Sequence, residues 1–258
     1  MKTYITGASG FLGSYLVKKL KDPLLIPHNQ IGRVKLADFD YFYFLSSYGN
    51  LPTQQDDKKI LKANILDLTS ILLQTKWSTV KSFVFISSSS VLLPNQTMYS
   101  RAKKAAEEIL LSFSEKYNAP ICIIRPFSIT GQGEQKTHLI PRLIDSCLTG
   151  TTIDFIGKPT HDYIDARDVV DGILALSKAG AKGIFELGNG RSYSNQEVLE
   201  LVEELTGKKA NTRPGKARPY DTGKWVSRDF RARDYNWTPK IKLEKTLSEM
   251  VNNYEKVH

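Results

Sequence analysis

Cysteine is almost lacking in this chain of 258 residues, with two in all, Cys122 and Cys147. Both stand in apolar surroundings with no second group of metal-ligating residues near them. The sequence therefore predicts a buried strand cysteine and a buried helix cysteine, and argues against a disulfide or a zinc site. No metal is expected. Also lacking is any apolar run that approaches the ~18 residues of a membrane-spanning helix. The stretch after Met1 and Lys2 resembles the start of a signal peptide, but Gly7, Gly10 and Gly13 interrupt it and no A-x-A-like cleavage site follows. A soluble, cytoplasmic protein with no membrane partner is expected. Internal repeats and low-complexity segments are missing too.

Positive charge is what the chain has in excess, with 36 Lys and Arg against 27 Asp and Glu and a formal net charge of +9. Such a balance attracts phosphates through counterion release. The distribution argues against a nucleic-acid partner. Pairs such as Lys18-Lys19, Lys58-Lys59 and Lys103-Lys104 fall mostly on what read as solvated helix faces, and only Lys208, Lys209, Arg213, Lys216 and Arg218 form a cluster. An anionic small molecule accounts for that cluster as well as RNA does. With 41% hydrophobic and 10% aromatic residues, the chain has ample material for one substantial core and a smaller appended lobe.

Hydrophobic patterning organises the first half clearly. Lys2 to Thr6 is a β-rich run that stops at glycine, and Phe11 to Leu20 follows with helical spacing. Leu24 to Ile26 reads as a second strand. Tyr41 to Leu45 and Ser82 to Ile86 are unbroken apolar or aromatic runs, the mark of parallel strands buried on both faces. Residues 53 to 76 between them carry a helical apolar stripe through Ile60, Leu61, Ile65, Leu68, Ile71 and Leu72. A helix from Tyr99 to Tyr117 and a strand from Ile121 to Arg125 complete an alternation that predicts an α/β, Rossmann-type doubly wound parallel sheet. In the less regular second half, Ser194-Asn195-Gln196-Glu197 is a capping box before an apolar helix face, and Leu243 to Tyr254 forms a final amphipathic helix.

Two groups of residues carry chemistry. Thr6-Gly7-Ala8-Ser9-Gly10-Phe11-Leu12-Gly13 places three glycines between strand and helix. The first permits the turn, the second lets backbone N–H groups approach a pyrophosphate, and the third lets helix pack on strand. A helix N-terminus then faces the anion. The second group is Tyr99-Ser100-Arg101-Ala102-Lys103, with a phenol and an ammonium on one helix face. A nearby cation favours phenolate, so the phenol is expected to titrate below its ordinary value of about 10 and to exchange protons. Tyr15 with Lys19 and Tyr220 with Lys224 share the spacing. Position selects Tyr99, because it opens the helix after Ser87-Ser88-Ser89-Ser90, at the strand end where ligands bind in such sheets.

Over nearly its whole length the chain resembles the extended short-chain dehydrogenases, the nucleotide-sugar epimerase, dehydratase and ketoreductase family. TGASGFLG is similar to the family's cofactor loop, FVFISSSSV to its serine strand, YSRAK to its Tyr-x-x-x-Lys, and Ile124-Arg125-Pro126 with Gly131-Gln132-Gly133 to its R-P…G-x-G segment. Asp162 to Val169, Arg218-Pro219-Tyr220-Asp221 and Asn236-Trp237-Thr238-Pro239 resemble its substrate-lobe motifs. The resemblance implies an oxidoreductase of nucleotide sugars, a 4-ketoreductase or 4-epimerase, working as a homodimer. It implies a dinucleotide-binding domain of residues 1–130 with parts of 155–190, and residues 131–258 as mainly a small C-terminal substrate-binding lobe interleaved with the first. Ser88 then corresponds to the catalytic serine and Tyr99 to the acid/base, while Lys103 lowers the phenol's pKa and holds the nicotinamide ribose. The same likeness puts Gly7, Ser9, Gly10, Phe11, Leu12, Gly13, His28, Asn29, Arg33, Leu45, Ser46, Asn64, Ile86, Ser87 and Pro126, with Tyr99 and Lys103, around the cofactor. It puts Ser89, His138, Arg142, His161, Arg218 and Asp221 around the substrate.

Three departures qualify this reading. Leu92-Leu93 stand where the family has Tyr-Gly, and only ten residues separate Ser88 from Tyr99. His161 replaces an arginine that grips the substrate pyrophosphate. The acidic residue that bonds an NAD ribose is missing after the second strand, where Arg33 is available for a 2′-phosphate, so NADP is favoured over NAD. The lost loop and His161 also suit a non-catalytic dinucleotide sensor, against which the intact Ser88, Tyr99 and Lys103 argue.

Overall fold

The structure is a computed structural model that describes residues 1–51, 53–218 and 221–257. In chain order the strands are β1 (Thr3–Thr6), β2 (Leu24–Ile26), β3 (Tyr41–Phe44), β4 (Ser82–Ile86), β5 (Ile121–Pro126), β6 (Ser128–Thr130), β7 (Ile153–Phe155), β8 (Thr160–His161), β9 (Tyr163–Asp165), β10 (Gly183–Leu187), β11 (Tyr193–Ser194) and β12 (Thr212–Pro214). The helices are α1 (Phe11–Val17), α2 (Asp57–Leu61), α3 (Asp67–Gln74), α4 (Met98–Tyr117), α5 (Leu139–Thr149), α6 (Ala166–Lys178), α7 (Asn195–Thr206) and α8 (Leu243–Val257).

Six strands form one sheet in the order β10-β5-β4-β3-β1-β2. The pairs β1 with β2, β1 with β3, β3 with β4 and β4 with β5 are all parallel. Reversal of strand order on either side of β1 makes this the doubly wound sheet that the alternation predicts. Every residue of β4 is buried, as its unbroken apolar run requires. Phe42 and Phe83 stack on neighbouring strands at 5.0 Å between ring centroids, within a core that takes in Phe44, Phe85, Leu68, Ile71, Ala106 and Leu110.

Two compact units result. The first holds Met1–Pro126, Val170–Glu186 and Asp229–Trp237, and the second holds Phe127–Val169, Leu187–Arg228 and the stretch from Thr238 on. The core of the second packs α5, α7 and α8 through Leu143, Ile144, Val198, Val202, Leu247 and Val251. Ser194 caps α7 and Glu197 reaches back to it in the expected capping box. Cys122 lies in β5 and Cys147 in α5, both buried and free. Among the described residues no helix is long and apolar enough to cross a membrane.

Two element boundaries differ from the periodicity. The helix expected over 53 to 76 begins at Asp57, capped by the Asp56 side chain on the Lys59 N–H, and a π-helical turn at Lys62–Leu66 separates α2 from α3. The apolar stripe continues through that turn, which is why the period hides it. The first helix ends at Val17, not Leu20, and closes in a tight turn through Lys19 N–H to Leu16 and Leu20 N–H to Val17.

Candidate active site

The glycine loop joins β1 to α1 and leaves no room for a side chain at Gly7 or Gly13. Gly7 has φ +72, and a Cβ there would stand 2.7 Å from the Leu45 carbonyl carbon. A Cβ on Gly13 would lie 2.0 Å from the Gly7 carbonyl oxygen, far inside contact distance. Gly13 is therefore the position where α1 presses on the turn, while Gly10, whose Cβ would meet the same oxygen at 3.2 Å, is less crowded. Ser9 and Gly10 face solvent, Phe11 is half-buried and Leu12 is buried. The first amides of α1 have no partners within the helix, so this cradle fits the pyrophosphate of a dinucleotide. Leu45 and Ser46 follow β3 beside it, the Ser46 N–H donating to Thr6 Oγ1 at 3.2 Å. His28 and Asn29 lie in a single 3-10 turn and Arg33 in the turn after it, all three exposed.

Two strand ends and α4 assemble the polar group at the carboxyl edge of the sheet. Thr97 caps α4 by accepting from the Ser100 N–H, which sets Tyr99 and Lys103 on the inner face. Lys103 is 1% exposed, not on a solvated face as its neighbour Lys104 suggests. Its Nζ donates to the Ile86 carbonyl at 2.7 Å and stands 4.6 Å from the Phe85 ring centroid and 5.9 Å from that of Tyr99. Ser88 is half-buried, accepts from the Ser90 N–H at 3.1 Å and donates to Ser90 Oγ at 2.9 Å. The hydroxyls of Ser47 and Ser88 neighbour the Tyr99 phenol and favour its ionised form. Ser89, by contrast, is buried, so of the two adjacent serines Ser88 is the one on the phenol.

Titration in this group runs opposite to the simple expectation. Burial pushes the Tyr99 phenol above its ordinary value, and the two serine hydroxyls only partly offset it. Burial also pushes Lys103 down to about 7, with the Glu107 carboxylate opposing the fall. A neighbouring cation lowers a phenol's pKa only while it keeps its own proton, and desolvation acts against both groups.

Asn64 sits in the π-helical turn with its side chain fully enclosed. Its Nδ2 donates to the carbonyls of Tyr48 and Ile60, both at 2.8 Å, and its Oδ1 accepts from Ser47 Oγ at 3.0 Å. Ser47 thus bonds Asn64 and neighbours the Tyr99 phenol. Sequence reasoning missed Ser47 and also Glu107, whose carboxylate receives Arg125 Nε at 2.8 Å, Arg125 Nη2 at 2.5 Å and Ser87 Oγ at 2.5 Å. The available signal for Glu107 was its place four residues beyond Lys103, on the helix face that Tyr99 and Lys103 share. Pro126, the last residue of β5, is buried beyond Arg125.

In the second unit, His138 precedes α5 and its Nδ1 lies 3.1 Å from Glu134 Oε1, while Glu134 Oε2 accepts from Thr130 Oγ1 at 2.6 Å. His161 is ringed by Tyr163 and Trp225, with centroids at 5.6 and 5.1 Å, and its Nδ1 lies 3.2 Å from Ser128 Oγ. Burial lowers His161 to about 4, Asp221 opposing and Arg218 adding to the fall, so at neutral pH it is uncharged. An arginine at this position would always be charged. Asp221 accepts from the Arg218 backbone N–H at 2.8 Å and stands 3.6 Å from Arg218 Nε. Arg142 is half-buried on α5. Arg167 is committed to Asp165 and Glu249, each at 2.7 Å. Pro219 and Tyr220, and with them the Tyr220-Lys224 pair, lie outside the described residues.

The sequence profile of the NAD dependent epimerase/dehydratase family matches residues 28–188. The chain belongs to that family. Its members are extended short-chain dehydrogenases, and the family membership makes this chain an enzyme. The UDP-glucose 4-epimerase of Lactobacillus helveticus is 25% identical over 307 residues, which cover 93% of this chain and 92% of the relative. Two solved structures share the fold over 100% of both chains. They are UDP-glucuronic acid 4-epimerase from Bacillus cereus with UDP-glucuronic acid and NAD, at TM-score 0.88 and 21% identity, and RMD from Pseudomonas aeruginosa with NADPH, at TM-score 0.86 and 19% identity.

Proposed function

We propose that this chain is an NAD(P)(H)-dependent oxidoreductase of nucleotide sugars, UDP sugars foremost, that acts at the sugar C4 as a 4-epimerase. The carrying observation is the Tyr99 phenol beside the Ser88 hydroxyl, with the buried Lys103 Nζ 5.9 Å from its ring centroid, at the edge of a sheet whose first turn is the glycine cradle. The relatives' activities support the reaction class. The first unit serves as the dinucleotide-binding domain and the second as the substrate lobe, in a cytoplasmic homodimer.

A dinucleotide held by the glycine cradle would supply or take up the hydride. As the phenolate, Tyr99 takes the proton of the C4 hydroxyl when the sugar is oxidised, and as the phenol it returns one to the carbonyl oxygen when the sugar is reduced, while Ser88 holds that oxygen. Lys103, when protonated, offsets the charge of the phenolate. Around the cofactor, Gly7 to Gly13, Leu45, Ser46, Asn64, Ile86, Ser87 and Pro126 shape the pocket walls, with His28, Asn29 and Arg33 at the adenosine end. The exposed Arg33 and the missing acid favour NADP. On the substrate, Arg218 carries the phosphate contact and Asp221 a ribose hydroxyl, while Ser89, His138, Arg142 and His161 complete the surroundings.

A 4-ketoreductase is the second reading, favoured by the short segment between Ser88 and Tyr99. One assay separates them. UDP-glucose, UDP-glucuronic acid and their 4-keto derivatives are incubated with NAD(P)H under absorbance at 340 nm and product chromatography. Isomerisation with no net cofactor change is the expected outcome, net NAD(P)H consumption assigns the reductase, and no turnover with any of these sugars overturns the proposal.

A further inference from the structure

Glu107 is left unused by the scheme above, yet it is 1% exposed and ionisable. A carboxylate is retained in such a place only when its charge is met. Arg125 meets it through two nitrogens, at 2.8 and 2.5 Å, and Ser87 Oγ adds a third donor at 2.5 Å. Those donors stand at informative points. Ser87 lies between Ile86, whose carbonyl receives Lys103 Nζ at 2.7 Å, and Ser88, whose hydroxyl neighbours the Tyr99 phenol. The end of β4 is therefore fastened to α4 twice in succession, by Lys103 on Ile86 and by Glu107 on Ser87. Glu107 is also one helical turn from Lys103 on the same buried face.

We propose that Glu107 is a positioning residue for the catalytic group: paired with Arg125 and bonded to Ser87, it fixes the Ile86–Ser88 strand end against α4 and sets a negative charge one helical turn from the Lys103 ammonium. The proposal rests on the roles given above to Ser88, Tyr99 and Lys103. The groups that face Lys103 are Tyr99 and Glu107 from α4 and, from β4, the Ile86 carbonyl and the Phe85 ring. Arg125 of β5 stands behind Glu107, and Glu186 and Asp229 act in turn on Arg125. Of the charged groups in contact with α4's inner face here, Glu107 is the one whose sign favours the Lys103 ammonium, and burial opposes it.

The test is Glu107→Gln in the full chain, which keeps the side-chain shape and an acceptor for Ser87 but removes the charge. With lysine labelled at the ε-carbon with ¹³C, and the Lys103 signal assigned by its loss in Lys103→Met, the NMR titration midpoint of Lys103 is expected to fall by about one pH unit. The alkaline limb of the kcat profile should move the same way, so that activity drops about tenfold at pH 8 and much less at pH 6. If the single variant does not fold because Arg125 is left unpaired, Glu107→Gln combined with Arg125→Gln carries the same titration. A Lys103 midpoint that stays within 0.3 unit (about a factor of two) in a folded variant overturns the proposal. The titration needs no substrate, so a wild-type chain that turns over no nucleotide sugar would sink the functional reading while leaving this one to be judged separately.

Discussion

Lys103 is 1% exposed and fixed on a backbone carbonyl, whereas the Arg218 side chain is 55% exposed and stands 3.6 Å from Asp221, three residues along the same loop. These two cations, one in each unit, show two ways of preparing a charge. A buried ammonium is desolvated by the fold itself, so its position and its affinity for a proton are settled before any ligand arrives. A charge that faces solvent is screened by it and remains within reach of a phosphate. Groups of the first kind suit proton transfer, which depends on geometry to fractions of an ångström. Groups of the second kind suit recognition.

The comparison can be broken most severely at the glycine cradle. Gly13→Val places branched carbon where even a Cβ lies 2.0 Å from the Gly7 oxygen. Loss of cooperative folding, or of more than about a hundredfold in NADPH affinity, is expected from the displaced helix, and a folded variant with unchanged affinity would separate the cradle from the site. Tyr99→Phe comes next. It should lower kcat by about 10² to 10⁴ while NAD(P)H affinity measured by fluorescence changes little, and a kcat within tenfold of wild type would remove the phenol from the proton path.

Arg218→Ala tests the exposed side of the comparison. Charge-assisted contacts to phosphate are worth about 1.5 to 3 kcal/mol, so substrate KM should rise roughly ten- to a hundredfold with NAD(P)H Kd unchanged. A KM within twofold would place the phosphate grip elsewhere. Arg33→Ala should have the smallest effect, because Arg33 is exposed and solvent screens it. NADPH is expected to weaken about threefold and NADH hardly at all, and equal changes in the two would leave Arg33 as a surface residue.

How legible each part was in the sequence follows from how local its cause is. The sheet showed itself because β3 and β4 are buried on both faces along nearly their whole length and so run as Tyr41-Phe42-Tyr43-Phe44 and Phe83-Val84-Phe85-Ile86. The glycine loop was legible because its backbone geometry excludes side chains. Glu107 was hidden: Lys103-Lys104 followed by Glu107-Glu108 reads as a solvated row of i,i+4 ion pairs, and only the packing of α4 on β4 and β5 turns one lysine and one glutamate inward. The same packing reversed the titration expected for Tyr99. A four-residue spacing reports that a cation is near, and says nothing about how dry the space between them is. The π-helical turn escaped notice because what it achieves is to aim Asn64 at Tyr48, Ile60 and Ser47, contacts that leave no trace in a hydrophobic period.

The burial of Lys103 also makes folding itself a proton-coupled event. In an unfolded chain the amine titrates near 10.4, and in the folded one at about 7, so between those values the unfolded state binds a proton that the native state does not. Folding in that window releases it. Below pH 7 both states are protonated and the full desolvation penalty weighs on the fold; as pH rises toward 10.4 that penalty is progressively relieved, and this residue's contribution to stability climbs with pH. The acid side of neutrality is thus where the dry lysine is most expensive for the native state to keep.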